Sequence, residues 1–155
     1  MDLAKILIEE KGDKSQAILE LNIRIAQKIE SPDIDIFEIL SPTELYILLI
    51  SRINVYVCNG GYEHYFYYSG QYTKETVQAI SHVGLNNLLF NYQAALKVFD
   101  NNHIPKENEK RQKLIDGLTE KQREVLDELS SEYYDIAHLE ELFDYAYEHQ
   151  SDISV

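Results

Sequence analysis

The stretch Ser41-Pro42-Thr43-Glu44-Leu45-Tyr46-Ile47-Leu48-Leu49-Ile50-Ser51-Arg52-Ile53-Asn54-Val55-Tyr56-Val57-Cys58-Asn59-Gly60-Gly61-Tyr62 decides the fold class. It opens as a helix start. Ser41 can accept from the backbone three residues on, Pro42 sits where its missing N–H costs nothing, and Glu44 can reach back to Ser41. Leu45, Leu48, Leu49, Arg52 and Tyr56 then recur at steps of three and four, the period of a helix. The run stops at Asn59-Gly60-Gly61, which predicts a tight turn between helices with at least one glycine at positive φ. A short helix over Tyr62 to Tyr68 follows and ends at Ser69-Gly70.

The same period holds on both sides. Ser15–Ile29 places Ile18, Leu21, Ile25 and Ile29 on one amphipathic face. Thr73 opens a helix carrying Val77, Ile80 and Val83, with Gly84 suited to a left-handed cap. Asn86 or Asn87 starts another with Leu89, Tyr92, Leu96 and Phe99 inward; Asn101 to Pro105 reads as a loop, and two or three further helices fill residues 107–149. No segment alternates at period two between turn signals, so no strand is assigned. No repeat, low-complexity tract or linker divides the chain. The expectation is an all-α, single-domain helical bundle of about six to eight helices over residues 1–155.

A chain of 155 residues with 45% apolar content can bury a core without a staple. Cys58 is the single cysteine, which excludes an internal disulfide and a Cys-based metal site. The first residues lack the basic start and apolar run of a secretory signal, and the longest apolar stretch, Leu45 to Ile50, is far short of the ~20 residues that cross a bilayer. A cytoplasmic protein is expected. The net charge of −13 argues against direct contact with nucleic acid or anionic membrane, which attract positive surfaces. That charge is uneven: residues 116–155 hold 12 acids against Lys121 and Arg123, a net of −10.

Residue types that could carry chemistry are present without a supporting pattern. His64, His82, His103, His138 and His149 show no His-x-x-x-His or Glu-x-x-His spacing, so no metal is expected. Cys58 lies six residues before His64, but no third orienting group follows; a small buried residue at a helix end is the simpler reading. Asn59-Gly60-Gly61 lacks the Lys-Ser/Thr of a phosphate loop and the strand that precedes a dinucleotide turn. Tyr62, Tyr65 and Phe66 are spaced i, i+3, i+4, which is core spacing. No enzyme activity and no cofactor are expected.

The block Tyr56-Val57-Cys58-Asn59-Gly60-Gly61-Tyr62-Glu63-His64-Tyr65-Phe66 resembles the Asn-Gly-Gly-Phe-x-x-Tyr-Phe hallmark of a bacterial family known through a DNA-mimic protein. Tyr62 stands where the family usually has Phe. The similarity continues through Thr76-Val77-Gln78-Ala79-Ile80-Ser81-His82-Val83-Gly84, Ala94-Ala95-Leu96, Leu126-Asp127-Glu128-Leu129, Tyr133-Tyr134 and Leu139-Glu140-Glu141-Leu142, covering about residues 41–150. What the resemblance implies is an all-helical fold with Asn59, Gly60, Gly61, Tyr62, Tyr65 and Phe66 as its structural motif. It also implies an acidic homodimer that presents carboxylates, in place of backbone phosphates, to a basic DNA-binding protein.

The acids themselves add a separate observation. Asp116, Glu120, Glu124, Glu128 and Glu132 stand four apart, as do Glu140, Asp144, Glu148 and Asp152. Four helical residues rise about 6 Å and overshoot a turn by about 40°, comparable with the interval between phosphates on one DNA strand. Gly117 and Ser130-Ser131 are expected to interrupt the first row. Acids on the wet faces of helices also simply keep a protein soluble. The leading expectation is a protein-binding module whose partner-facing acids are Asp116, Glu120, Glu124, Asp127, Glu128, Glu132, Asp135, Glu140, Glu141, Asp144 and Glu148. The opposing apolar set is Leu118, Val125, Leu126, Leu129, Leu139, Leu142, Phe143 and Ala146. The alternatives are a small ligand-binding or hydrolytic domain with a pocket near Asn59 and His64, and a structural interaction protein whose acidity is incidental.

Overall fold

Three aspartates begin helices by the same local chemistry. Asp2 accepts from the N–H groups of Ala4 and Lys5 at 3.0 and 3.2 Å, Asp13 from Ser15 and Gln16 at 2.9 and 3.2 Å, and Asp35 from Phe37 at 2.9 Å. Each satisfies donors that a helix start leaves open. A computed structural model describes residues 2–136 and 138–155. Among the described residues the chain is all-helical, with no strand: α1 (Leu3–Glu9), α2 (Lys14–Ala26), α3 (Ile36–Ile39), α4 (Pro42–Ser69), α5 (Thr73–Val83), α6 (Asn86–Leu96), α7 (Asn108–Asp116), α8 (Glu120–Tyr133) and α9 (Leu139–Glu148). Short 3-10 turns lie at Gly70–Tyr72, Asp100–Asn102 and Gln150–Asp152. With α3 only one turn long, the other eight agree with the expected number. No helix among the described residues is long and apolar enough to cross a membrane.

The chain forms two compact units, Met1–Ser51 with Ala137–Val155, and Arg52–Ile136. In the first, α2 packs on α1 and α9, and Ile18, Leu21 and Ile25 of α2 and Leu142 and Ala146 of α9 are all buried. α2 ends at Ala26, so Ile29, expected on its inner face, lies beyond the helix and is half-buried. The expected capping of α4 is present: Ser41 N–H donates to Glu44 at 3.0 Å, and Glu44 N–H donates to Ser41 Oγ at 3.2 Å. Glu44 is fully buried and does more than cap. Its carboxylate also accepts from Lys28 Nζ at 2.8 Å and from Ser154 N–H at 2.8 Å. Burial by itself raises the carboxyl pKa, but Lys28 and the Ser154 and Ser41 amides outweigh it and hold the group below its usual value.

In the second unit α4 is broken at the glycines. Gly61 has φ +76°, so one glycine is left-handed as expected. The break deprives Tyr62 N–H of an in-helix acceptor, and Ser130 Oγ of α8 accepts it at 2.8 Å while donating to Leu126 O at 2.7 Å. A Cβ on Gly61 would stand 2.9 Å from Ser130 Oγ, and one on Gly60 2.8 Å from His64 Cβ. Beyond the break the helix delivers Tyr62, Tyr65 and Phe66, all buried; Tyr62 meets Tyr92 of α6 and Tyr133 of α8 edge-on, Tyr65 meets Tyr92 edge-on, and Phe66 meets Tyr92 tilted. Their hydroxyls are paired: Tyr62 donates to Asn91, Tyr65 and Tyr92 share a bond of 2.9 Å, and Tyr133 donates to Asn54 at 3.1 Å. Burial pushes all four phenols above their usual range. α5 ends as expected at Gly84, with φ +84°.

Two corrections follow from the helix faces. Cys58 is exposed, not buried. The buried stripe of α4 before the break runs through Ile53 and Val57, and Cys58 lies about 100° around the helix from Val57. Val125, expected inward, is 38% exposed, because α8 buries Leu126, Ser130 and Tyr133, a stripe that Val125 flanks. Leu129 and Leu139 are half-buried, while Leu118, Leu126, Leu142, Phe143 and Ala146 are buried.

Two predictions test this framework. Gly61→Ala and Ser130→Ala should each lower the unfolding free energy by about 1–3 kcal/mol, the first through a strained φ and the second through a stranded N–H. Their double variant should lose at least about 0.5 kcal/mol less than the sum, since removing Ser130 Oγ vacates the space that the new methyl group needs; urea titration measures all three. Additive losses would contradict the coupling. For Glu44, a depressed carboxyl stabilises the fold fully above its unfolded-state pKa, and the gain is lost as pH falls through the folded value. The melting temperature should therefore drop on acidification below about pH 4.3, and Glu44→Gln should be less stable at neutral pH with a flatter acid limb.

Candidate functional site

The acidic quarter begins where Thr119 caps α8. Its Oγ1 accepts from Gln122 N–H at 3.2 Å, and the Gln122 side chain accepts from Thr119 N–H at 2.8 Å. This box fixes the first turn of α8 and so the direction of its carboxylates. Leu126, Ser130 and Tyr133 face inward. Glu124, Glu128 and Glu132 are each two residues from a buried position, about 200° around the helix, and are exposed. Asp127 and Glu120 are exposed beside them. Ser130-Ser131 does not interrupt α8, since both hydroxyls are taken up by carbonyls one turn back, Leu126 O and Asp127 O. Gly117 does interrupt the row: Asp116 is the last residue of α7 and belongs to another helix. Asp135 lies past the end of α8, also exposed.

In the other unit α9 turns Leu142, Phe143 and Ala146 inward and Glu140, Glu141, Asp144 and Glu148 outward. Asp152 does not extend that row: it lies on the 3-10 turn after α9 and accepts from Thr43 Oγ1 at 3.3 Å. All eleven acids expected to face a partner are exposed. Among the described residues only Asp144 of these is held by a cation, Lys14 at 2.7 Å. Neither base of the segment neutralises the rows by ion pairing. Arg123 turns away to pair with Glu63 and to cap the C-terminal carbonyls of α7, Ile115 and Asp116, at 3.2 and 3.1 Å; Lys121 is exposed and makes no ion pair among the described residues.

The helix ends sharpen the point. Neither α8 nor α9 carries a basic residue in its last turn, and Glu132 and Glu148 stand there instead. A carboxylate near a helix C-terminus meets the negative end of the dipole, an arrangement unfavourable by about 0.3–1 kcal/mol. These acids are placed against local stability.

The other candidate region surrounds the glycine break. A cavity of about 320 Å³ is lined by Gly60, Glu63, His64, Tyr67, Tyr68 and Ile115, and Asn59 turns aside to donate to Val55 O at 2.8 Å. His64 packs against the rings of Tyr56 and Tyr68 at centroid distances of 5.8 and 4.8 Å, and those two rings stack on each other at 6.5 Å. Cys58, though exposed as a residue, points its thiol toward Asn54 at 3.7 Å, and partial desolvation of that thiol raises its pKa, the opposite of what an activated nucleophile needs. Among the described residues no three His, Cys, Asp or Glu side chains converge as a metal site. Sequence reasoning missed Arg111, which is buried and donates to the carbonyls of Tyr67, Pro105 and Lys106 and to Asn108. It stands four residues before the buried Ile115 on the same face of α7, but a charged side chain at that position reads as solvent-exposed.

The chain is thus all-helical and carries exposed carboxylates along α8 and α9, of which only Asp144 is ion-paired among the described residues. The family model of DMP19-like proteins matches residues 38–149, and the chain belongs to that family, which is of the DNA-mimic type. No curated protein and no solved structure matches the chain.

If the terminal acids oppose the helix dipoles, Glu132→Gln and Glu148→Gln should each leave stability unchanged or raise it by about 0.3–1 kcal/mol, read from the urea midpoint. A loss beyond about 0.5 kcal/mol would show that these carboxylates make stabilising contacts.

Proposed function

We propose that this protein is a non-enzymatic DNA mimic that occupies the DNA-contacting face of a basic protein. The observation that carries the reading is the exposure of all eleven candidate carboxylates with a single one, Asp144, in an ion pair among the described residues. Carboxylates free of internal partners are available to arginines and lysines from outside, and an Arg–carboxylate contact has the same fork geometry as Arg–phosphate. The spacing supports the reading. Glu120, Glu124, Glu128 and Glu132 advance about 6 Å per step along one helix while drifting about 40° around it, so the row curves as a strand of phosphates does. Family membership supports it independently.

The chemistry is association without bond making. A field of one sign speeds encounter with an oppositely charged partner and makes it salt-sensitive. The rows are rigid because each is the outer face of a helix whose inner face is buried. Little ordering entropy is lost when a partner engages them.

Affinity purification from native lysate tests this. A basic DNA-binding protein should be captured at low salt and released both by raised salt and by competing duplex DNA. Changing Glu120, Glu124, Glu128 and Glu132 to Gln should leave the helical spectrum unchanged, weaken capture at least about tenfold and flatten its salt dependence. Unchanged affinity across salt would reduce the acids to a solubility coat.

A further inference from the structure

The strongest departure from the acidic character lies at the end of α6. A cavity of about 730 Å³ opens between the first turns of α5, the last turns of α6 and the loop that follows, and its walls carry Lys74, Lys97 and His103 but no carboxylate. The chain has 27 acids against 14 lysines and arginines, so a wall that holds two lysines and no carboxylate runs against its overall charge. Seven ion pairs among the described residues each take up a different cation, and none takes Lys74 or Lys97. The two carboxylates nearest in sequence do not serve the cavity: Glu75 is held by Lys106 at 3.1 Å, and Asp100 is not part of the wall. Lys97 has a local role available as the C-cap of α6, where a cation meets the negative dipole end. Lys74 has none, because it stands in the first turn of α5, the end that disfavours a cation.

The rest of the lining suits an organic group better than a bare ion. Gln78, Gln93, Asn101 and Asn102 bring amides that both donate and accept, and Val77 and Leu96 give an apolar surface. The volume falls within the range of about 300–1,000 Å³ usual for small-molecule sites. Just past the wall, the same loop is tied to α7, where Arg111 donates to the carbonyls of Pro105 and Lys106.

We propose that this cavity binds a small phosphate-bearing organic molecule of nucleotide size, with Lys74 and Lys97 on the phosphate and the amides on the organic part. The site is separate from the acidic rows, so it stands or falls independently of the mimicry reading.

Calorimetric titration of the full chain with ADP, inorganic phosphate and adenosine tests it. ADP should bind, and bind at least about tenfold more tightly than either phosphate or adenosine alone. The double variant Lys74→Gln with Lys97→Gln should weaken ADP binding at least about tenfold, with an unchanged helical spectrum and melting curve; each single variant should lie between. Gln78→Ala should weaken ADP without altering the affinity for phosphate. Absence of ADP binding at millimolar concentration, or unchanged affinity in a folded double variant, would overturn the proposal. Phosphate binding as tightly as ADP would overturn its organic half.

Discussion

The hydrogen bond from Tyr62 N–H to Ser130 Oγ is the contact on which the second unit depends. A helix interrupted at two glycines leaves backbone donors that must find partners once buried, or cost about 1–3 kcal/mol each. Ser130 supplies the acceptor from α8 and passes its own proton to Leu126 O, so both groups are satisfied. The geometry is tight enough that a methyl group on Gly61 would meet the Ser130 hydroxyl. The glycine, the amide and the serine therefore form one device. It redirects α4 so that Tyr62, Tyr65 and Phe66 enter the core beside Tyr92 and Tyr133.

The same contact sets the acidic face. Ser130 can accept from Tyr62 only if α8 turns the stripe of Leu126, Ser130 and Tyr133 inward. Helical geometry then leaves Glu124, Glu128 and Glu132 on the opposite side. The direction of the carboxylates is fixed by core packing and capping, so substitutions on the outer face can alter charge without altering shape. α9 reaches a comparable arrangement by an ordinary apolar stripe of Leu142, Phe143 and Ala146. In both helices the acids near the C-terminus sit where the backbone dipole disfavours them. Local stability does not account for their placement, which agrees with the proposed recognition of a cationic surface.

Much of this was legible in the sequence, because its signals are local. The Ser41–Glu44 cap, the left-handed glycine in Asn59-Gly60-Gly61, the Gly84 stop and the core spacing of Tyr62, Tyr65 and Phe66 each depend on a few neighbouring residues. The outward placement of the acids followed from the opposing apolar set. What escaped depends on distant partners or short elements. α1 buries only Leu3 and Ile6, too few for a period, although Asp2 was available as its cap. Ser130 reads as a helix breaker until the N–H it serves is seen, 68 residues away. The cavity walled by Lys74 and Lys97 assembles residues from two helices and a loop, and no motif announces it. Asp116 and Asp152 keep the four-residue spacing but fall on other elements, a reminder that spacing continues through helix ends while faces do not.

Two opposite chemistries thus share one acidic chain: outward rows of carboxylates on α8 and α9, and a cavity from which carboxylates are absent. The rows carry the central claim, and carboxyl footprinting tests it most directly. The protein, alone and in complex with a captured basic DNA-binding partner, would be labelled at exposed acids by carbodiimide coupling and read by mass spectrometry. The account predicts that labelling at Glu120, Glu124, Glu128 and Glu132, and at Glu140 and Glu148, falls in the complex, while Glu9, Glu10 and Glu38 label as before. Protection of acids elsewhere with the rows still fully reactive would contradict it.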